Sequence, residues 1–406
     1  MRSLVILGAA DGAVPTYVRA RELGYRTICV DYQRSAPAVR LADEYLPLST
    51  RDPDGIAAAL AGRADIAGVL APASDAALPA QAWLNRHWHL MGSISPKAVR
   101  ASVDKAYFRA VCARLGFPAY RSIPWDTVRN GPGAALLVLR AAKTLKFPVL
   151  VKPVDGTGSR GVILCPDSSS VDTAVRDAAR HSRSARVIIE EYVGGASHTV
   201  EAVIDEGEPV LITVTDRTIT HLPHFITTSH AMPAALPADT LGRLEKMLAA
   251  LCTELDYQRG PLNLDLIVDA DGEPHLIEMG ARVGGNGMAE LVTYAYQVDT
   301  LAASIAAATG EPMRVAPGDP EPVLLHILTA PAAGRLVALG GMPEVAGHPH
   351  VRELRLFVEP GQQVRPYTEA ANKLGYLVLA GGPMADLRAL AHELQAALDV
   401  QVDPQR

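Results

Sequence analysis

The feature that most restricts the fold of this chain is a change of pattern along its length. Roughly the first ninety residues alternate short apolar runs, such as SLVILGA and RTICVDY, with helical segments such as VPTYVRARELG. This alternation is typical of βαβ units and a parallel sheet. Further along, FPVLVKPVDGTGSRGVILCP has two β runs around a glycine-rich loop, without the helix that a P-loop requires. The sequence therefore predicts a parallel α/β start followed by an antiparallel α+β region.

The length of 406 residues predicts two to four domains. A segment rich in proline, glycine and acid, VAPGDPEPV, marks a boundary near residue 315. We expect an N-terminal α/β domain, linker helices with a small subdomain, a large subdomain and a C-terminal domain, over residues 1–95, 96–192, 193–314 and 315–406. Within the linker, SPKAVRASVDKAYFRAVCARLGFP predicts one helix that ends at Gly116, with Pro118 beyond it as a stop signal.

Charge and composition exclude several classes of function. A net charge of −6 gives no basic surface for nucleic acid, and no apolar run reaches the roughly 18 residues of a membrane helix. The N-terminus lacks a long apolar core and a cleavage site, so we expect no signal peptide and a cytoplasmic protein. Four isolated cysteines, without the spacing of a zinc site or redox pair, are expected to be buried thiols.

A predicted hairpin in NLDLIVDADGEPHLIEMGAR carries two acids on facing strands. If Asp271-Gly272 form a two-residue turn, Asp265 lies directly opposite Glu278. Like charges in this position destabilise a sheet unless a positive charge lies between them. These residues alone leave two interpretations open: a metal site, or an ordinary exposed hairpin edge.

Three other segments also leave a functional and a purely structural interpretation open. Lys152 ends a strand before a glycine-rich loop, which suits nucleotide phosphates or is a flexible hairpin loop. The segment VIIEEYVGG either offers backbone groups to an adenine edge or is a plain strand end. The first turn, GAADGAVP, lacks the G-x-G-x-x-G spacing, so it is either a phosphate site at a helix N-terminus or a simple tight turn.

Taken together, these segments resemble the ATP-grasp superfamily, particularly its carboxylate–amine ligases such as the L-amino-acid ligases. The segments that carry the resemblance occur in this order: VDKAYFR, VLVKPVDGTGSRGV, VIIEEYVGG, HTVEAVIDEGE, TTSHAMPAALP and NLDLIVDADGEPHLIEMGARVGG. The C-terminal GYLVLAGGPMADLRALAHEL also resembles the terminal domain of those ligases. The resemblance covers nearly the whole chain. It implies an ATP-grasp fold, with an N-terminal parallel-sheet domain, central antiparallel ATP-grasp subdomains and a small C-terminal α+β domain.

The resemblance also implies the residues that bind ATP and magnesium. Lys105, otherwise an ordinary helix lysine, and Lys152 would bind the phosphates. Asp265 and Glu278 would hold Mg²⁺, as two ions, with Mn²⁺ as an alternative; hard oxygen ligands suit such ions. The loop that would close over the phosphates consists of Gly156, Thr157, Gly158, Ser159, Arg160 and Gly161. The adenine hinge would be Glu190, Glu191, Tyr192 and Val193.

This sequence departs from the pattern of its relatives at two places. Related ligases often have G-x-E-x-S-V-E after the hinge, with the first glutamate on the ATP ribose; here GASHTVE places Ser197 there, and His198 is the expected substitute. Glu201 matches the final glutamate. Many relatives have asparagine at the position of Gly280, so we expect only two direct protein ligands for the metal.

Three residues are predicted to be catalytic: Arg282, His230 and Glu201. Arg282 would face a carboxylate or an acyl phosphate, for which a guanidinium is well shaped. His230 matches a histidine near the reacting carboxylate of related ligases, although an isolated histidine is more often structural. His326 is expected in the core or at an interface.

The predicted function is an ATP-dependent ligase that joins a small-molecule carboxylate and an amine, with amino-acid-like substrates. An acyl phosphate would form, ADP would be released, and the amine would displace phosphate. No nucleic acid or membrane partner is expected, and a homodimer is one expected assembly. The alternatives are an ATP-grasp enzyme on another acceptor (a carrier protein, a carboxylase-type or a purine-pathway substrate), a noncatalytic nucleotide-binding module and, more remotely, a nicotinamide oxidoreductase.

Overall fold

The N-terminal region is a four-stranded parallel sheet in the order β3-β2-β1-β4. The structure, a computed structural model, describes residues 2–92, 94–131, 135–220 and 224–404. The predicted alternation of strands and helices is confirmed. The elements are β1 (Ser3–Leu7), α1 (Val14–Glu22), β2 (Arg26–Val30), β3 (Glu44–Leu46), α2 (Pro53–Ala59), β4 (Ile66–Leu70) and α3 (Leu78–His87).

Linker helices lead into a small antiparallel sheet in the order β5-β8-β6-β7. One face of this sheet packs against α8, with Val149, Val151 and Val187 buried against Val175 and Ala178. The elements are α4 (Pro96–Val103), α5 (Lys105–Arg114), β5 (Ser122–Asp126), α6 (Thr127–Asn130), α7 (Ala135–Ala142), β6 (Val149–Pro153), β7 (Ile163–Cys165), α8 (Val171–Arg180) and β8 (Arg186–Glu191).

The large subdomain begins with a hairpin and continues through three more strands and three helices. Its elements are β9 (Ala196–Asp205), β10 (Glu208–Ile219), β11 (Thr227–Met232), α9 (Ala238–Leu255), β12 (Gly260–Val268), β13 (Pro274–Gly280), α10 (Met288–Tyr296) and α11 (Thr300–Thr309). Asp205 pairs with Glu208, so the predicted hairpin around Glu206-Gly207 is confirmed. Both turn residues have positive φ, +52° and +82°, as tight hairpin turns require.

The C-terminal region contributes strands to the same large sheet. Its elements are β14 (Val323–Leu328), β15 (Gly334–Leu339), α12 (Met342–Ala346), β16 (Val351–Leu356), β17 (Gln363–Val364), β18 (Gly375–Ala380), α13 (Met384–Ala397) and β19 (Val400–Asp403). The large sheet has eight strands in the order β13-β12-β9-β10-β11-β14-β18-β16, and β17-β15-β19 form a separate sheet. Because β11 pairs with β14, the large sheet continues past residue 315.

Alternating side chains of the large sheet separate a packed face from a functional face. On β9 and β12, Val200, Ala202 and Leu264 are buried against Leu248 and Leu251 of α9. The odd-numbered residues of β9 and β12 point to the opposite face, since successive side chains of a strand alternate. That opposite face carries the predicted site. The predicted fold class is confirmed.

The four cysteines are all free and buried, in agreement with the sequence. Burial raises the pKa of Cys29 and of Cys112 to about 11, so both remain protonated thiols at neutral pH. Among the residues that the structure describes, no helix has the length and hydrophobicity needed to cross a membrane.

Candidate active site

Asp265 and Glu278 lie directly opposite each other on β12 and β13, as the sequence predicts. The predicted two-residue turn at Asp271-Gly272 is wrong. Asp269 N donates to Glu273 O at 3.1 Å, which leaves three residues in the loop rather than two. A loop of this length alone would shift the facing strands by one residue. Another feature of the hairpin must therefore restore the predicted pairing.

That feature is a β-bulge beside the two acids. Leu266 pairs with Leu276, whereas the preceding pair joins residues 265 and 278, so Ile277 is an extra residue on β13. Arg109, from α5, reaches this bulge: its Nη2 donates to the carbonyl oxygens of Leu276 at 2.7 Å and Ile277 at 3.2 Å. Arg109 therefore holds the local geometry that aligns Glu278 with its partner.

Each of the two acids is neutralised by a basic side chain. Lys105 Nζ lies 2.9 Å from Glu278 Oε2, and Arg217 forms an ion pair with Asp265. Asp265 Oδ1 also accepts a hydrogen bond from Thr199 Oγ1 at 2.8 Å. Burial raises the pKa of Glu278, but the nearby charges of Lys105, Lys152 and Arg217 outweigh this effect and hold it below its ordinary value. Both acids are therefore suited to hold a cation.

The position of Lys105 depends on a break in the linker helix. The predicted single helix is wrong: α4 and α5 are separate, and Asp104 between them has extended φ and ψ of −130° and 99°. Its side chain caps α5 by accepting from Tyr107 N at 3.0 Å. Lys105 is thus the first residue of α5. Its Nζ donates to Gly156 O at 2.8 Å, which links the acids to the glycine-rich loop.

The glycine-rich loop connects β6 and β7 and lines the space above the acids. Gly158, Ser159 and Gly161 have positive φ, between +58° and +72°, a region that glycine adopts without steric cost. Ser159 Oγ donates to Phe225 O at 3.1 Å, across the space between the two subdomains. Thr157 and Arg160 line two different cavities.

The predicted adenine hinge lines a cavity of about 150 Å³, which we call the hinge cavity. At its wall Glu190, 2% exposed, lies 2.5 Å from Lys152 Nζ and 3.6 Å from Arg109. The side chain of Glu191 instead accepts from Arg121 N and Lys146 N, at 3.2 and 2.8 Å. This anchors the end of β8, and Glu191 N itself donates to Arg121 O at 3.0 Å. Tyr192 and Val193 complete the hinge.

The structure places Ser197 and His198 on opposite faces of β9. Ser197 lines the hinge cavity. His198 is 3% exposed, and its Nδ1 lies 3.2 Å from Thr215 O and 3.3 Å from Asp216 Oδ1. Because adjacent strand residues alternate, His198 points toward the α9 side. The prediction that His198 replaces the ribose-binding glutamate is therefore not supported by its position.

Glu201 is buried beneath the site. Its carboxylate accepts from Asn263 Nδ2 at 2.6 Å and from Gly284 N at 3.2 Å. Burial raises the pKa of Glu201 to about 7. Asn263 Oδ1 in turn accepts from Arg282 Nη1 at 2.9 Å. Glu201 is thus placed to act through Asn263 on the position of Arg282.

Arg282 and His230 line a cavity of about 910 Å³, which we call the central cavity. Arg282 forms a two-pronged ion pair with Asp75 of the N-terminal domain, with N–O distances of 2.9 and 2.8 Å. His230 is 4% exposed, and its Nδ1 lies 2.9 Å from Thr215 Oγ1. Burial, with the charge of Arg217, lowers the pKa of His230 to about 3. The imidazole is therefore neutral at neutral pH.

The hinge and central cavities meet at the two acids. Residues shared by both cavities include Lys105, Arg217, Asp265 and Glu278. The structure therefore brings most of the predicted binding residues to one continuous space, while Glu201 lies below it and His198 on the far face. In the described part of the chain no group of three or more His, Cys, Asp or Glu side chains could hold a metal ion.

Sequence reasoning missed four residues of this site: Arg217, Asp75, Arg109 and Asn263. Arg217 is the residue that the sequence could best have indicated, because it pairs with the predicted site residue His230 across β10 and β11. Asn263 lies two residues before Asp265, on the same strand face. Asp75 and Arg109 gave no local signal, because each contacts residues more than 160 positions away.

Comparison with known protein families identifies two segments of the chain. Residues 145–290 match the ATP-grasp domain family, and residues 326–403 match L-amino acid ligase C-terminal domain 2. The chain contains an ATP-grasp domain. The predicted family, its ligase class and its likeness to L-amino-acid ligases are thereby confirmed. All of the predicted site residues except Lys105 lie inside the first matched segment, residues 145–290.

Individual relatives agree with this assignment. The chain is 26% identical over 351 residues to the uncharacterized protein y4rH of Sinorhizobium fredii, covering 84% of this chain and 69% of that protein. It is 28% identical over 194 residues to carnosine synthase 1 of Gallus gallus, covering 45% of this chain but 21% of that protein. The crystal structure of an L-amino acid ligase from Bacillus licheniformis has the same fold, with a TM-score of 0.80, 18% identity, and coverage of 100% and 99%.

Proposed function

We propose that this protein is a carboxylate–amine ligase that forms an amide or peptide bond between amino-acid-like substrates. ATP would be converted to ADP and phosphate through an acyl phosphate. The observation that carries the proposal is the pair Asp265–Glu278 at the junction of two cavities, flanked by Lys105 and Arg217. The hinge cavity is narrow and ends at the predicted hinge. The central cavity contains the guanidinium of Arg282, which is suited to a carboxylate. Such an arrangement fits a nucleotide on one side and an acid on the other.

ATP would bind with its base in the hinge cavity and its phosphates toward the acids. Lys152 and Lys105 both line the hinge cavity and supply ammonium groups to the phosphates. The loop from Gly156 to Gly161 would close over them. Ser197 is the residue of β9 that lines this cavity near the expected ribose. These roles follow from position and charge, since phosphoryl transfer depends mainly on positioning and neutralisation.

The donor set fits magnesium. Asp265 and Glu278 present hard carboxylate oxygens from adjacent strands, and Mg²⁺ commonly takes one or two carboxylates and completes its shell with water and phosphate. When bound, the ion would supply positive charge to the phosphate oxygens. Lys105 and Arg217 pair with these carboxylates, so a metal ion that takes over the carboxylates would leave both cations to phosphate groups.

Arg282 is suited to hold the substrate carboxylate in the central cavity. One carboxylate oxygen would attack the γ-phosphorus in line, forming the C–O–P linkage of an acyl phosphate as the bond to ADP breaks. The amine would then attack the carbonyl carbon, lose its proton, and expel inorganic phosphate. His230 is placed to hydrogen-bond the acid rather than to take this proton, because a group with a pKa near 3 is a poor base at neutral pH. Glu201 would act as a positioning residue through Asn263.

The family match favours amino-acid substrates over other acceptors. Residues 326–403 match a domain described for L-amino acid ligases. The phosphoribosylglycinamide synthetase, biotin carboxylase and L-amino acid ligase structures, at 17%, 17% and 18% identity, are similar in fold alone. A noncatalytic nucleotide-binding module has no need of Arg282 beside an acid pair. These observations support the ligase over the alternatives.

The experiment is to supply each standard amino acid as the acid, with ATP, magnesium and hydroxylamine. Hydroxylamine captures an acyl phosphate as a hydroxamate without requiring the natural amine. We expect acid-dependent ADP release with matching hydroxamate formation, and product masses of dipeptides or amides when amino acids replace hydroxylamine. Formation of AMP with every acid, or ADP release without hydroxamate, would contradict the acyl phosphate.

A further inference from the structure

A third cavity, which we call the side cavity, lies at the carboxyl ends of β1 and β4. Gly8 and Asp11 follow β1, Ala71 and Ser74 follow β4, and all four line a space of about 300 Å³. With the strand order β3-β2-β1-β4, the direction of winding reverses between β1 and β4. Open parallel sheets bind ligands at this switch point. The turn GAADGAVP, which carried no assigned function, therefore forms part of a pocket.

The side cavity opens into the central cavity. Ala73, Ser74, Gly285 and Asn286 line both spaces, so a molecule in the side cavity can extend toward Arg282. Its volume is at the lower end of the range for small-molecule pockets. The cavity is therefore placed beside the reacting carboxylate, on the side away from the hinge.

One cation faces the side cavity. Among the described residues that line it, Lys373 is the only lysine or arginine. Its side chain is 10% exposed, its Nζ lies 2.6 Å from Asp11 Oδ2, and it lies 5.2 Å from the centre of the Phe357 ring. An ammonium group has three donors, and Asp11 takes one of them. Lys373 is thus held in place with donors left for a ligand.

The acids that line the side cavity are already engaged. Asp31 accepts from Ala9 N at 2.9 Å and from Gln33 N at 2.8 Å. Glu290 accepts from Tyr376 at 3.1 Å and lies 3.2 Å from Arg355. With three carboxylates in its walls, the cavity disfavours a doubly charged phosphate but accommodates a single carboxylate on Lys373.

We propose that the side cavity binds the amine substrate, and that this substrate is an amino acid whose free carboxylate is held by Lys373. Its amino group points through the opening at Ser74 and Gly285 toward the activated acid. Phe357 and Tyr376 form the wall beside Lys373 for the substrate side chain. This inference rests on the proposed ligase function and adds the place where the second substrate binds and the residue that holds its carboxylate.

The test compares amino acids with their carboxamides as amines. The carboxamide lacks the charge that Lys373 recognises, and a hydrogen bond to a charged group contributes about tenfold or more in affinity. With the acid that gives the most hydroxamate, wild type is expected to have a KM for the preferred amino acid about tenfold or more below that for its carboxamide. Lys373→Met should abolish this preference, and hydroxamate formation in the same variant reports whether the acid is still activated. Lys373→Arg should restore part of the preference.

The controls separate the possible failures. Lys246→Met, at an exposed position on α9, should keep the preference. Equal KM values for an amino acid and its carboxamide in wild type would overturn the inference without requiring any variant. So would a Lys373→Met enzyme that keeps the preference. Absence of hydroxamate with every acid would instead overturn the ligase function, and the inference with it.

Discussion

The hinge cavity and the side cavity lie at opposite ends of one cleft and are built in different ways. The hinge cavity takes half of its lining from β6, the loop after it and the end of β8, and much of the other half from β10, β12 and β13. The side cavity takes residues from the turns after β1 and β4, from 283–290, and from around Phe357 and Lys373. Both cavities therefore form only after distant segments meet, but motifs visible in the sequence supply half of the hinge cavity, whereas no motif predicted the proposed amine site.

The two ends also differ in how their charges are stabilised. At the hinge, Lys152, Glu190 and Arg109 are at most 7% exposed and form one group of opposite charges. Such charges are stable in the interior only when they are paired, so removing one member is costly. In the side cavity, Asp11 is 29% exposed and Lys373 10%, so water screens the pair. The hinge end should therefore be rigid, and the side-cavity end open to exchange with a ligand.

The largest effect is expected at the point where the two halves of the cleft meet. Glu278→Gln should lower turnover by about 10²–10³-fold, because it removes a charge that positions the metal and phosphates. Folding should be nearly unchanged, since the side chain is 44% exposed. ADP release measures turnover, and the change in melting temperature on adding Mn²⁺ measures metal binding.

An exposed glutamate of α9 provides the matched control. Glu245→Gln should leave both measurements unchanged. Full activity and an unchanged response to Mn²⁺ in Glu278→Gln would remove Glu278 from the site.

A stability test at the hinge end comes next. Arg109→Met should lower the free energy of unfolding by about 3 kcal/mol, because it leaves Glu190 with one buried partner fewer and frees the bulge carbonyls. ATP should also bind more weakly. Urea unfolding and nucleotide titration measure the two effects. Arg114→Met on the same helix breaks an exposed pair with Glu254 and should change the free energy of unfolding much less. Equal losses in the two variants would contradict the importance of the buried group.

A kinetic test then isolates the part of the cleft that would bind the substrate acid. Arg282 lines the central cavity and is not among the residues lining the hinge cavity, within the described chain. Arg282→Ala should lower kcat by about 10²-fold while the affinity for ATP changes little, because the guanidinium acts on the reacting acid. Arg314→Ala, at an exposed position, should change neither quantity. Parallel losses in ATP affinity and kcat would make Arg282 a nucleotide residue.

The smallest effect is the pH dependence that His230 contributes. Its folded pKa of about 3 lies below the ordinary value of 6.5. Between these values the unfolded chain binds a proton that the folded chain does not, so stability falls as pH drops below 6.5. At pH 5 this lowers the free energy of unfolding by about 2 kcal/mol relative to pH 7.

His230→Gln should reduce that pH difference by the same amount, as measured by urea unfolding at the two pH values. His87→Gln, at an exposed histidine, is the control. An unchanged difference in His230→Gln would mean that His230 titrates normally in the folded protein.

Sequence reasoning predicted much of the nucleotide half from strand patterns. The alternation on β12 and β13 placed Asp265 opposite Glu278 although the predicted turn was wrong, because the longer loop and the bulge at Ile277 offset each other. The break between α4 and α5 was not predicted, because the apolar pattern runs on through it. The break lies at Asp104, which caps α5. His198 was expected to substitute for the ribose-binding glutamate because Ser197 occupies that position, whereas alternation along β9 turns His198 away from the site.

The sequence by itself determined the order of elements, the fold class and the residues that local motifs present to the cleft. These depend on strand alternation, glycine conformation and capping, all of which act over a few neighbouring residues. Only the tertiary structure decided which distant partners complete the site: Asp75 against Arg282, Arg109 against the bulge, and Lys373 against Asp11. The physical reason is that each of these contacts joins segments that the folding of the whole chain brings together, and no local pattern records such a contact.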